Sequence, residues 1–284
     1  MIEIKLFGHT TVSCGDVRLT ATDLGGSKPR QLLEMLALDV GSPVSKELLA
    51  ERLWDGNPPR AYIPTIESHV CGIRRRLAEL TGEHGALVTT VGGYLLDEQL
   101  VRVDVVEVRA LLDSGDVAKV RHTLDLVQGV LLADDPYAPW ADEAREGFAA
   151  HAAQSYAEAA HLANEAGDHE LAVALARAVG HDQYWSEPAV QELMRALAAS
   201  GNRTQALLEY QALRALLGEE LGIEPSPATQ EVFMSILCAA PSQDSDDVGI
   251  LLGLLKRALA ADRGHGTPHN PAMAEVGRML LARA

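Results

Sequence analysis

Two stretches of this 284-residue chain, "ANEAGDHELAVALARAV" from residue 163 and "LAASGNRTQALLEYQAL" from residue 197, align without a gap. Gly167 and Gly201 stand 34 residues apart, as do Ala172 and Ala206. A fixed period of that length is the mark of paired helices stacked one pair on the next. Small residues at set places let the helices approach closely, and stacking buries a face that one pair alone would leave in water. From "VDVVEVRALLD" onward the pattern is helical almost throughout, broken by "SGD", "AGD" and "SGN". Pro225 and Pro227 end one helix before the next starts. Residues 103–240 therefore read as an all-α helical repeat domain.

The first hundred residues follow another rule. Residues 2–8 and 17–21 alternate polar with apolar, and "SCGD" between them supplies a turn, so a small sheet is expected. In "SKPRQLLEMLAL" the period changes: Ser27 can cap a helix, Pro29 is tolerated in its first turn, and Leu32, Leu33 and Leu36 lie at helical spacing. "GSPVSKELLAERLW" repeats the pattern with Ser45 as cap and Leu48, Leu49, Leu53 and Trp54 as the apolar face. After the breaker "DGNPP" a third helix is expected over residues 60–80, and "ALVTTVGGYLLD" then alternates around Gly92 and Gly93 as a hairpin would. Sheet, three helices and hairpin is the order of a winged helix-turn-helix. The predicted fold is thus mainly α with a small β component. A winged helix over 1–100 precedes a tetratricopeptide-like array over 103–240, and 241–284 form a linker and two short helices.

In the third helix Ile63, Ile66, Val70, Ile73, Leu77 and Leu80 share one face and are expected in the core. Thr65, Ser68, Gly72 and Arg75 point the opposite way, with Arg74 and Arg76 on the flanks. A strip that is small, polar and basic suits a major groove, where arginine reaches phosphates or guanine edges. Arginines in a last turn also complement the helix dipole, so the triplet alone leaves both readings open. Charge narrows the choice of surface. The chain carries a formal net charge of -16, and residues 1–100 hold 10 Lys and Arg against 13 Asp and Glu, with 14 against 27 in the rest. A field of that sign opposes polyanions, so any nucleic-acid contact falls to a local patch in the first hundred residues. Lys28 and Arg30 lie at another helix start, where phosphates bind well.

"SKPRQLLEMLAL", "LLAERLWDGNPPRA", "ESHVCGIRRRL" and "VTTVGGYLL", in this order, resemble the DNA-binding domain of the Streptomyces antibiotic regulatory protein family. The passage 103–238, with "LGIEPSPA", is similar to the activation domain that follows it there. The resemblance implies an activator that binds direct repeats in double-stranded DNA and engages RNA polymerase holoenzyme, with protomers pairing at least on DNA. It implies that Lys28 and Arg30 hold phosphate and that Thr65, Ser68, His69, Arg74 and Arg75 lie in or beside the groove. Arg60 and Arg76 border that surface, Thr90 and Gly92 belong to the wing, and Asp55, Gly56, Asn57 and Pro58 form the polymerase-facing loop. Where the family has arginine and proline before the wing glycines, this chain has Thr90 and Val91, which removes a phosphate contact and predicts weak non-specific affinity.

No catalytic constellation, metal-ligand spacing or cofactor motif is present in the sequence. "GGSK" lacks the spacing of a phosphate-binding loop, and the histidines are scattered. Three separated cysteines, a start unlike a signal peptide and no long apolar run predict a cytoplasmic protein that does not enter membranes. Two functions remain open at this stage: a transcriptional activator of a secondary-metabolite cluster, or an interaction scaffold whose winged helix has lost useful DNA affinity.

Overall fold

The computed structural model describes residues 1–82, 85–179 and 186–239. It divides into two compact units, Met1–Leu193 and the residues from Met194 on. The linker and helices expected over 241–284 lie outside the described residues.

In the first unit, β1 (Ile2–Lys5) buries Ile2 and Ile4 and exposes Glu3 and Lys5, as a strand with one face on a core must. Its expected extent to residue 8 is too long, because Leu6 and Phe7 give their N–H groups to the Asp104 carboxylate instead of a neighbouring strand. β2 (Thr11–Cys14) and β3 (Val17–Leu19) fold back antiparallel in turn. Helix α1 (Ser27–Leu38) starts from Gly26, so Ser27 sits inside the first turn and does not serve as the cap. β4 (Val44–Ser45) leads into α2 (Lys46–Leu53), where Ser45 caps as expected, its Oγ accepting from the Leu48 N–H at 3.1 Å. Leu49 and Leu53 are buried, whereas Leu48 is 37% exposed.

α3 (Tyr62–Thr81) is closed by Gly82 in the left-handed region at φ 74°, a conformation that favours glycine. Ile66, Val70, Ile73 and Leu77 form its buried face. Ile63, expected there too, is 40% exposed, and Leu80 is half-buried, so the buried stripe is shorter than the periodicity predicts. β5 (Leu87–Thr90) and β6 (Gly93–Leu96) make the hairpin, and β4 joins it to give a three-stranded sheet of order β4-β6-β5. β7 (Val101–Val103) returns parallel to β1 and completes the N-terminal sheet, β3-β2-β1-β7.

The helical part begins in the same compact unit with α4 (Asp104–Leu112), α5 (Val117–Leu126), α6 (Pro139–Glu165) and α7 (His169–Ala178). The segment between α5 and α6 runs back to the end of β1. Gly8 donates to Val130 O, Leu132 to Leu6 O, and Phe7 packs edge-on against Phe148 of α6 at 5.2 Å. α8 (Glu187–Ala199) contains the boundary between the units.

In the second unit, α9 (Arg203–Glu220) pairs with α10 (Pro227–Cys238) through stacked Tyr210 and Phe233, 4.1 Å between ring centroids. The 34-residue period has a local structural signature. Gly167 and Gly201 have φ 80° and 83°, the next N–H donates to Ala163 O in one case and Leu197 O in the other, and Ala172 and Ala206 are both fully buried. Each glycine thus ends a helix with the same αL turn before the next helix starts.

Candidate nucleic-acid interface

α3 and the β5–β6 hairpin carry the candidate surface. Because successive residues on a helix point 100° apart, three consecutive arginines cannot share one environment. Arg75 faces outward with its side chain 70% exposed, and its Nε is 3.8 Å from Glu79. Arg76 is less exposed and donates to Glu79 at 2.9 Å. Arg74 turns toward the hairpin: Nε donates to Leu87 O at 2.9 Å, Nη2 to the Thr89 hydroxyl at 2.7 Å, and the guanidinium lies 5.9 Å from the Tyr94 ring centroid.

Ser68 is exposed as expected, while Thr65 and Gly72 are half-buried at the edge of the strip, with the Thr65 hydroxyl donating to Ala61 O. A Cβ at Gly72 would meet nothing within 4 Å, so the glycine leaves open space for a closely approaching partner. Cys71 is exposed between Ser68 and Arg75 and belongs to the same strip. Its place could have been read from the sequence, because at 100° per residue Cys71 lies as close to the centre of the strip as Gly72 does, on the other side. At the hairpin tip Val91 is fully exposed, Gly92 has φ 80°, and the Thr90 hydroxyl is buried without a partner.

Two expected phosphate ligands stand elsewhere. Arg30 is 5% exposed and forms the centre of a buried cluster. Its Nη1 donates to Glu34 Oε1 at 2.7 Å and to Asp135 Oδ2 at 2.5 Å, and its Nη2 donates to Asp135 Oδ1 at 3.1 Å. Gln31 donates to the same carboxylate at 2.6 Å, Thr10 donates to Glu34, and Arg145 holds the Asp135 carbonyl at 3.1 Å. The guanidinium is committed to two buried carboxyl groups, so the phosphate role expected of Arg30 is corrected to a structural one. Lys28 is half-buried, donates to Leu53 O and lies 5.9 Å from the Trp54 ring, so its ammonium is drawn inward as well. Burial and the Lys28 charge hold His69 below its ordinary pKa, so this imidazole adds no positive charge at neutral pH.

Arg60 is exposed just ahead of α3, and Asp55, Gly56, Asn57 and Pro58 are all exposed. That loop is a tight turn with φ 49° and 74° at its first two residues, braced by Asn57 Nδ2 donating to Asp55 O and by the Gly56 N–H donating to Glu51 O. The exposed cations at the surface are therefore Arg60 and Arg75, with Arg76 partly exposed and paired to Glu79, and they are opposed by the exposed acids Glu67 and Glu79. Among the described residues no helix is long and apolar enough to cross a membrane.

A winged helix with an exposed, arginine-bearing third helix, continued by a helical repeat, defines a winged-helix transcription regulator. Residues 24–96 match the family model for the C-terminal domain of transcriptional regulatory proteins, and residues 96–237 match that of the bacterial transcriptional activator domain. Regulatory protein DnrI of Streptomyces peucetius is 31% identical over 242 residues, covering 76% of this chain and 86% of that protein. Regulatory protein AfsR of Streptomyces griseus is 29% identical over 226 residues, 76% of this chain but 23% of AfsR. The solved structure of Mycobacterium tuberculosis EmbR in complex with a low-affinity phosphopeptide aligns with a TM-score of 0.68 at 20% identity, over 94% of this chain and 73% of that one, a likeness of fold. The chain belongs to the Streptomyces antibiotic regulatory protein family of transcriptional activators.

Proposed function

We propose that this protein acts in the cytoplasm as a sequence-specific activator of a secondary-metabolite gene cluster. Two protomers, each with its winged helix, bind side by side on direct repeats in double-stranded DNA near a promoter. The loop Asp55–Gly56–Asn57–Pro58 and the helical domain then recruit RNA polymerase. The observation that carries this reading is the exposed strip Ser68, Cys71 and Arg75 on α3, beside a hairpin whose tip projects into solvent. Few exposed cations and a cation-free hairpin mean that backbone attraction is small, so affinity rests on base contacts and on two protomers binding together.

Arg75 is the residue that tests this surface. Arg75→Ala is expected to weaken binding to a selected duplex by about 1–3 kcal/mol if the guanidinium reads a guanine, and to reduce the salt slope by about one if it holds a phosphate. Binding titrations at several salt concentrations separate the two. Unchanged affinity at every salt concentration contradicts the placement of α3 in the groove.

A further inference from the structure

The geometry assigns Arg74 the part of a positioning residue: it locks the β5–β6 wing to α3, so that the wing tip and the exposed strip meet DNA as one rigid surface, and it is not itself a DNA contact. The assignment rests on the proposed DNA-binding function for its consequence, and on the following contacts for its geometry. Arg74 reaches both strands of the wing. It holds the carbonyl of Leu87 and the hydroxyl of Thr89 on β5, and it lies over Tyr94 on β6, the residue directly opposite Thr89. From the other side Lys46, at the start of α2, brings its ammonium to 5.5 Å from the same Tyr94 ring and pairs with Glu67 of α3 at 2.7 Å. The Lys46 N–H donates to Gly92 O at 2.9 Å, which ties the wing tip to α2. Tyr94 is 3% exposed, so two cations, one from each neighbouring helix, flank a buried ring one residue pair from the end of the hairpin's ladder.

Two acceptors at different depths need a planar fork. A guanidinium supplies donors in fixed directions from separate nitrogens, here Nε toward Leu87 O and Nη2 toward the Thr89 hydroxyl, whereas lysine has a single nitrogen with which to reach both. A phosphate, in contrast, accepts lysine readily. The wing itself, residues 85–96, contains no lysine or arginine. Misplacing it therefore costs affinity without changing the number of phosphate charges neutralised.

These facts give Arg74→Lys and Arg74→Ala distinct signatures. The probe is the duplex that wild-type full-length protein retains best from a random pool, titrated across salt concentrations. Both variants are expected to bind about tenfold more weakly, the order that follows from losing a charge-assisted hydrogen bond, with the salt slope of the wild type. In the free protein, amide hydrogen exchange over β5 and β6 is expected to accelerate in both variants while α1 stays protected. If Arg74→Lys binds like wild type and Arg74→Ala lowers the salt slope by about one, Arg74 holds a phosphate and the assignment fails. Unchanged exchange in the wing overturns it without any DNA present. Wild-type protein that selects no duplex would count against the DNA-binding function, while the exchange result would still decide whether Arg74 holds the wing.

Discussion

Glu34→Gln is expected to flatten the fall of stability between about pH 4.5 and about pH 8. Glu34 has no exposed surface, and burial pushes its carboxyl up to about 8, with the Asp135 carboxylate acting in the same direction and Thr10 and Arg30 against it. In the unfolded chain the same group ionises near its ordinary value of 4.5. Between those two values the folded protein keeps a proton that the unfolded chain has released. Folding therefore weakens as pH rises through the window, by about 1.4 kcal/mol per pH unit for one such group. The favourable share is complete below the unfolded value and lost by the time pH passes the folded one.

Asp135 has the opposite sign. Burial opposes its ionisation, but bonds from Arg30, Glu34 and Gln31 outweigh burial and hold it below the ordinary 3.8, so its stabilisation is present above 3.8 and lost in stronger acid. The two windows do not overlap, and a neutral amide at position 34 isolates the first. Urea unfolding of wild type and variant at steps from about pH 5 to about pH 8 is the check, with a difference in slope amounting to several kcal/mol over the range. Parallel profiles would mean that Glu34 is ionised in the folded protein.

Gly93→Ala is expected to destabilise the winged helix by about 3 kcal/mol or more and to abolish DNA binding, an effect in the class reserved for forced backbone movement. A Cβ at Gly93 would stand 2.1 Å from Val44 O, 2.8 Å from Val44 C and 3.1 Å from the Ser45 Cα. All three are backbone atoms and cannot swing aside. β4 would have to part from β6, and with it go the Ser45 cap of α2 and the bond from Lys46 N–H to Gly92 O. Gly92→Ala provides the control. There the added Cβ meets nothing within 4 Å, and only the left-handed φ of 80° is strained, which costs about 1–2 kcal/mol. Thermal unfolding of the two variants side by side should rank Gly93→Ala far below Gly92→Ala. Equal effects would show that close approach to β4 is not what position 93 requires.

Local chemistry was legible in the sequence wherever one element determines it. Ser45 ahead of Lys46–Leu53, Gly92–Gly93 in the hairpin, and Ile66, Val70, Ile73 and Leu77 at helical spacing all kept their expected places. The 34-residue period, with Gly167 and Gly201 in the same αL turn, was readable for the same reason. What escaped depends on partners distant in the chain. Arg30 at a helix start looks like a phosphate ligand until Asp135, 105 residues later, is placed beside it. Arg74 reads as a cation on the flank of the groove-facing strip until the hairpin folds over it. β4 is two residues long and carries no periodicity of its own, yet its contact with Gly93 positions the wing.

Selection from a random duplex pool with purified full-length protein, at near-physiological salt and with the retained sequences read out, tests the central claim most directly. The account predicts enrichment of a tandem repeat whose half-sites lie one helical turn apart, about 10–10.5 base pairs centre to centre, with the strongest preference where α3 enters the groove. A pool that stays random, from protein that is folded and whose Arg74 still holds the wing, would contradict it and leave the helical repeat as the functional surface of a protein-binding scaffold.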